Sequence, residues 1–299
     1  MASWDEVLKE VQGTNSQVDY IRRRYVKELS EYTGRNTIVY YSSWLNKQGV
    51  PDLDINDADM NGFMTCVHGI DCKKGLDLVL HTPGGSPAAA EAIVNYLRTK
   101  FDKKIRVIVP QLAMSAGTMI ACSAETIIMG KHSSLGPIDP QFNGIPAYNI
   151  KSEFEEAKED LKNNPQNAQY WAIKLQQYPA AFMKTAIDAI DLSDQLVKEW
   201  LGTCMFDREK PEDLQIINSI AAKLNEHDDS KIHGRHFNVD FCKQIGLNIT
   251  MLEDDNILQD KVLSLHHACM ITFASTPCIK IIENQNGKSL FTSIPISNR

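Results

Sequence analysis

Ser115 stands in the stretch VIVPQLAMSAGTMIAC, just past the apolar run Val107-Ile108-Val109 and at the head of a series of small residues. Upstream, LVLHTPGGSPAAAEAIV sets Gly84 and Gly85 between a second apolar run and an amphipathic pattern. Both junctions have one form: a buried strand, a turn of glycine or small residues, then a helix. Two adjacent glycines let the backbone come close to another group and leave amides free to point at it. A serine on such a turn is held on a stiff support beside the positive end of a helix, and Ala113, Ala116 and Gly117 leave room around its hydroxyl. If the two strands are parallel neighbours, the glycine loop and Ser115 emerge at the same carboxyl end of the sheet. The glycine amides then face the serine, as an oxyanion hole faces a nucleophile. Each junction alone has a plainer explanation, an N-capping serine and a tight turn. Their occurrence on consecutive strand–helix units favours the chemistry.

The elements that must position these residues follow from periodicity. Residues 3–32 read as helical, with one apolar stripe at Trp4, Val7, Leu8 and Val11, another at Val18, Ile21, Tyr25 and Leu29, and a break near Gly13-Thr14. Arg22-Arg23-Arg24 reads as the solvated face of that helix. Asn36–Tyr41, Leu76–His81, Ile105–Val109 and Thr126–Met129 are short strands, and 88–100 and the segment from about Ala116 are helices. Residues 51–61 read as an acidic loop and 150–225 as mostly helical. Unalternated apolar strands separated by helices indicate parallel βα units covered on both faces. Asn286-Gly287 between two apolar runs marks a hairpin over 278–290. The expected organisation is an α/β fold in three parts: an N-terminal helical extension (1–35), the catalytic domain (36–275) and a C-terminal hairpin tail (276–299).

Bulk composition excludes several classes. With 31 basic and 38 acidic residues among 299, the net charge of −7 disfavours nucleic acid as a partner. The first residues lack the basic and apolar regions of a signal peptide, and no run reaches the roughly 18 apolar residues of a membrane span. Seven scattered cysteines without a CxxC pair read as reduced thiols, which points to a cytoplasmic setting. No metal site has supporting spacing, and no cofactor is expected.

HTPGGSP, then VIVPQLAMSAGTMIA, then GKHSSLGPIDPQ resemble, in that order, the serine dehydrogenase proteinase family. That family shares its fold group with the Clp protease, signal peptide peptidase A and the crotonases. The resemblance runs from about Asn36 to Asn149, and more weakly to about Leu290. It implies a Clp protease–crotonase-like fold of stacked ββα turns, with Ser115 as nucleophile, Gly84 or Gly85 as one oxyanion donor and the Ala116 amide as the second. HGRHFNVDFCKQIGLNI is similar to the group's last helix and strand, turning at Gly246-Leu247.

The base is where the resemblance departs. Asp139 occupies the position aligned with the histidine of the Clp protease, and Lys151 is the nearest lysine in the manner of signal peptide peptidase A. A serine needs a base in hydrogen-bond reach, and a lysine serves only when burial lowers its pKa. His132, His233 and His236 are further candidates, while His81 reads as orienting the glycine loop. Three functions follow: a serine hydrolase or peptidase acting on a peptide or protein, an inactive oligomeric scaffold or recognition subunit, and a crotonase-like acyl-thioester enzyme. An apolar groove at Leu112, Met114 and Met119 would suit an extended apolar peptide. A homo-oligomer is expected, because the resemblance implies assembly through late helices and the stripe at Trp4 and Val7 reads as exposed.

Overall fold

The structure, a computed structural model, describes residues 3–13, 18–142, 144–225 and 234–294. Strands β1 (Asn36–Ser42), β2 (Leu76–His81) and β3 (Ile105–Val109) lie side by side and parallel. Past β3 the chain forms the two-residue strand β4 (Leu112–Ala113), turns into the helix Ala116–Cys122, and returns as β5 (Thr126–Met129), parallel to β3. β6 (Ser134–Leu135) pairs with β4, so a second small sheet stands over the carboxyl end of the first. β7 (Gln141–Phe142) and β8 (Ile145–Pro146) make a short antiparallel ladder, and a helical excursion follows from Ala147. β9 (Phe237–Asn238) joins β6, and β10 (Ile249–Met251) extends the main sheet beside β5. β11 (Cys278–Asn284) and β12 (Ser289–Ser293) close the far side antiparallel, next to β1.

Alternate residues of each central strand go to opposite faces, as a period of two requires. Leu78, Leu80, Val107 and Val109 join the core under the helices Pro87–Phe101 and Ala116–Cys122. Val39, Tyr41, Val79 and Ile108 join a second core under Val18–Thr33 and Asn256–Ser275. Both faces are covered, which is why these strands read as continuous apolar runs.

The expected strands and their parallel order are present, and the helix-to-strand turn at Gly246-Leu247 leads into β10 as expected. Three expectations need correction. Residues 59–67, within and beyond the acidic stretch, form the helix Asp59–Val67. The stripe at Val7 is not spare: Val7 is fully buried against Ala268 and Ile271, so only Trp4 of that pair stays partly exposed, edge-on to His267. Self-association therefore gains no support from that stripe. Arg22 is also not solvated. Its guanidinium is buried against Glu283 at 2.8 Å and donates to Thr272. Burial disfavours the cation there, but the Glu283 carboxylate outweighs it and raises the pKa.

All seven cysteines are unpaired and five are buried. Among the described residues no helix is long and apolar enough to cross a membrane.

Candidate active site

β2 and β3 are parallel neighbours, so the chain leaves both at the same edge of the sheet. There Thr82 pairs with β4: its amide donates to the Leu112 carbonyl at 3.1 Å, and its carbonyl accepts the Met114 amide at 3.0 Å. This clamp presses the glycine loop onto the turn that carries Ser115. A side-chain carbon on Gly84 would stand 2.6 Å from Ser115 Cβ and 2.8 Å from the Met114 carbonyl oxygen. The next turn is as tight: a Cβ on Gly117 would meet Thr82 Cγ2 at 2.4 Å.

Ser115 has φ 51° and ψ −118°. A non-glycine residue in that region costs about 1–3 kcal/mol, a strain that persists only where the surroundings impose it. The serine does not cap its own helix, since its hydroxyl accepts no bond from the first-turn amides. The capping explanation therefore fails, and the hydroxyl is left for another use. Gly117 donates to the Met114 carbonyl and Met119 to the Ser115 carbonyl, which fixes the start of the helix.

The loop's amides divide in role. The Gly84 amide donates to Thr82 Oγ1 at 3.2 Å, so it is already engaged. Ile55 lies along the loop's other edge, donating to the Gly84 carbonyl at 2.7 Å and accepting the Ser86 amide at 2.9 Å. Among the described residues no acceptor receives the amides of Gly85 or Ala116. Of the two glycines, Gly85 is thus the one with a donor to offer. Ser86 caps the following helix through the Ala89 amide at 3.2 Å, with Pro87 at its first position.

The other candidates lie apart from this cluster in burial or bonding. Lys151 is in the second turn of the helix Ala147–Asn163, 40% exposed and 4.0 Å from Glu155. Asp139 is 1% exposed in the loop between β6 and β7. That loop is tied to the serine's helix, because Thr118 Oγ1 donates to the Ala113 carbonyl and accepts the Gly136 amide at 2.9 Å. His132 is exposed against Gly130, and His236 is exposed just ahead of β9. His233 lies outside the described residues. No described side chain is hydrogen-bonded to Ser115 Oγ. Of the expected apolar groove, Met119 is 1% exposed within the main core and Leu112 only 8%, so Met114 alone of the three keeps partial exposure. The helix period carries Met119 inward, away from the turn.

His81 ends β2 on the face opposite the serine's helix. Its Nδ1 accepts the Leu112 amide at 3.4 Å, while its ring packs against Trp44, Tyr41 and His266. Burial pushes its pKa down from 6.5 to about 3. His266 is lowered too, by burial first and then by the neighbouring histidines. Both rings are therefore neutral in the folded chain, and the unfolded chain binds their protons more readily. Stability is expected to be fully present above pH 6.5 and to decline as the pH falls from there toward about 3. Urea midpoints measured across that range check the sign, and a His81→Leu variant should show a shallower decline.

Sequence reasoning missed Thr82, Thr118 and Ile55 as parts of the site. Thr82 and Thr118 stand inside the two motifs, where a hydroxyl beside Gly-Gly or Ser-Ala-Gly was a usable signal. Ile55 carried none, since its role is made by its backbone.

Known proteins resemble parts of this chain. Two curated relatives from Methanocaldococcus jannaschii are 33% identical: the uncharacterized protein MJ0137 over 147 residues and the uncharacterized protein MJ1495 over 132. The alignments cover 48% and 43% of this chain, and the chain spans about half the length of these relatives, 51% and 45%. Among solved structures, a variant of the 1510-N membrane-bound stomatin-specific protease is 18% identical, with 70% of this chain and 79% of that one covered at a TM-score of 0.39. A second variant of that protease, in complex with a substrate peptide, matches at 18% identity over 70% of this chain and 93% of that one, with a TM-score of 0.27. A family model matches residues 12–171, a span that holds the glycine loop, the Ser115 turn and the loop of Asp139. With these motifs on consecutive parallel strands of a Clp-protease-like α/β fold, the chain belongs to the ClpP-like SDH-type serine proteinase family.

Proposed function

We propose that the chain is a serine peptidase in which Ser115 Oγ attacks the carbonyl carbon of a bound peptide. The observation that supports this best is the strained Ser115 backbone pressed against Gly84, with the Gly85 and Ala116 amides receiving no acceptor among the described residues. As the carbonyl becomes tetrahedral, its oxygen takes negative charge, and those two amides donate to it. The serine proton passes to a base and then to the leaving amine, which departs as the acyl-enzyme forms. Water, deprotonated by the same base, attacks the ester and releases Ser115. The base stays open among Lys151, Asp139 and His132, and Lys151, on the helix that follows the loop tied to Thr118, is tested first.

The test is capture of Ser115 by a fluorophosphonate, read by mass spectrometry of the labelled peptide. Capture at Ser115 is expected, and a chain that stays unlabelled while folded ends the peptidase reading. Lys151→Ala should lower kcat by about 10²–10⁴-fold, the usual contribution of general-base catalysis. Near-normal rates would remove Lys151 and turn attention to Asp139 and His132. A second reading, an inactive scaffold or recognition subunit, is favoured by one observation: the absence of any described base bonded to Ser115 Oγ. Failure of capture would select it.

A further inference from the structure

We infer that Tyr40, Asp59 and Lys280 act together as a positioning unit that sets the glycine loop against Ser115, an inference that rests on the peptidase reading above. The three side chains come from β1, the helix Asp59–Val67 and β11, and are 1%, 3% and 2% exposed. Lys280 Nζ donates to both Asp59 oxygens, at 2.8 and 3.1 Å, and to the Asp54 carbonyl at 2.8 Å. All three of its protons are thereby placed. Asp59 Oδ2 also accepts the Tyr40 hydroxyl at 2.8 Å and the Asn56 amide at 3.0 Å.

These bonds fall on the two neighbours of Ile55. Lys280 pins the carbonyl before it and Asp59 the amide after it, so the peptide groups of Ile55 are fixed in direction. Ile55 in turn grips the Gly84 carbonyl and the Ser86 amide, on each side of Gly85. One buried network thus reaches the loop through the backbone of Ile55. Stability does not account for it: a buried ion pair recovers little more than its desolvation cost, and apolar residues of similar volume usually serve a core as well. What the charges supply here is direction for two backbone groups.

The test compares wild type with Tyr40→Phe, Asp59→Asn and the double variant Asp59→Asn with Lys280→Met. Tyr40→Phe keeps the ring stacked on Phe63, at 6.0 Å, and removes one hydroxyl. Asp59→Asn alone strands a buried ammonium and endangers the fold, and the double variant removes that liability. Melting temperature, kcat and KM on a peptide that wild type cleaves, and the rate of fluorophosphonate capture at Ser115 are measured. Positioning predicts that Tyr40→Phe lowers kcat and the capture rate by about 10-fold, as loss of an orienting partner commonly does, with KM changed by no more than about twofold. It also predicts that the double variant regains thermal stability over Asp59→Asn without regaining capture. Recovery of capture together with stability, or a normal kcat in Tyr40→Phe, would overturn the inference. If wild type is not captured at all, the peptidase reading fails separately. Amide hydrogen exchange at Gly84 and Ile55 then decides: faster exchange in the stable double variant supports the positioning unit, and unchanged exchange overturns it.

Discussion

Replacing Ser115 by alanine is expected to reduce peptide hydrolysis by roughly 10⁴-fold or more while leaving the fold and its melting temperature nearly unchanged. The large kinetic effect follows from removing the only atom that would bond to the substrate carbonyl. The small structural effect follows from the site itself. Among the described residues the hydroxyl makes no hydrogen bond, and it does not cap its helix, so no described partner is orphaned. Alanine keeps a Cβ on the same strained backbone, and the surrounding Ala113, Ala116 and Gly117 accept it without rearrangement. Some residual rate should persist, because amides that stabilise an oxyanion act on any attacking water. Steady-state hydrolysis and thermal unfolding on the same preparation measure both halves. An alanine variant with full activity on a substrate that wild type cleaves would end the proposal.

Gly84→Ala is expected to be nearly as severe by a different route. The added methyl would stand 2.6 Å from Ser115 Cβ and 2.8 Å from the Met114 carbonyl, both on backbone or Cβ positions that cannot swing aside. Gly84 also has φ +103°, a conformation that alanine resists. The loop must lift from the serine turn, carrying the Gly85 amide with it. Loss of one oxyanion donor typically costs about 10²–10³-fold in kcat. Here stability should fall as well, since the Ile55 bonds to the loop are strained together with it. Gly49→Ala is the control: that glycine has φ +74° but open space around its Cβ position, so it bears the conformational penalty without the clash. If Gly84→Ala loses no more activity than Gly49→Ala, the loop is not pressed against the nucleophile in the working enzyme.

The parallel strands were legible because burial on both faces leaves unbroken Val, Ile and Leu, and the turns between them were legible because close backbone approach demands glycine. Gly84, Gly85 and Ser115 were found through that second signal. The helix Asp59–Val67 was hidden by the acidic residues before it, and its own first residue, Asp59, is buried and paired with Lys280. The same blindness applied to Arg22: a charge reads as surface until its partner is known, and Glu283 lies more than 200 residues away. Met119 was misplaced for a local reason, since only the helix phase decides which side of a small-residue helix a methionine enters. The base stayed open because proximity to a serine is a property of the fold, and spacing along the chain does not report it.

β11, followed in the sheet only by β12, lies antiparallel beside the first strand, and through it Lys280 reaches back 226 residues to the Asp54 carbonyl. Closing so distant a contact is slow and waits on the chain between. On the reading proposed above, the glycine loop takes its final shape only when β11 has docked. A chain still leaving the ribosome carries Ser115 long before it carries Lys280. On that reading the turn that carries Ser115 is made before the contact that fixes the loop beside it.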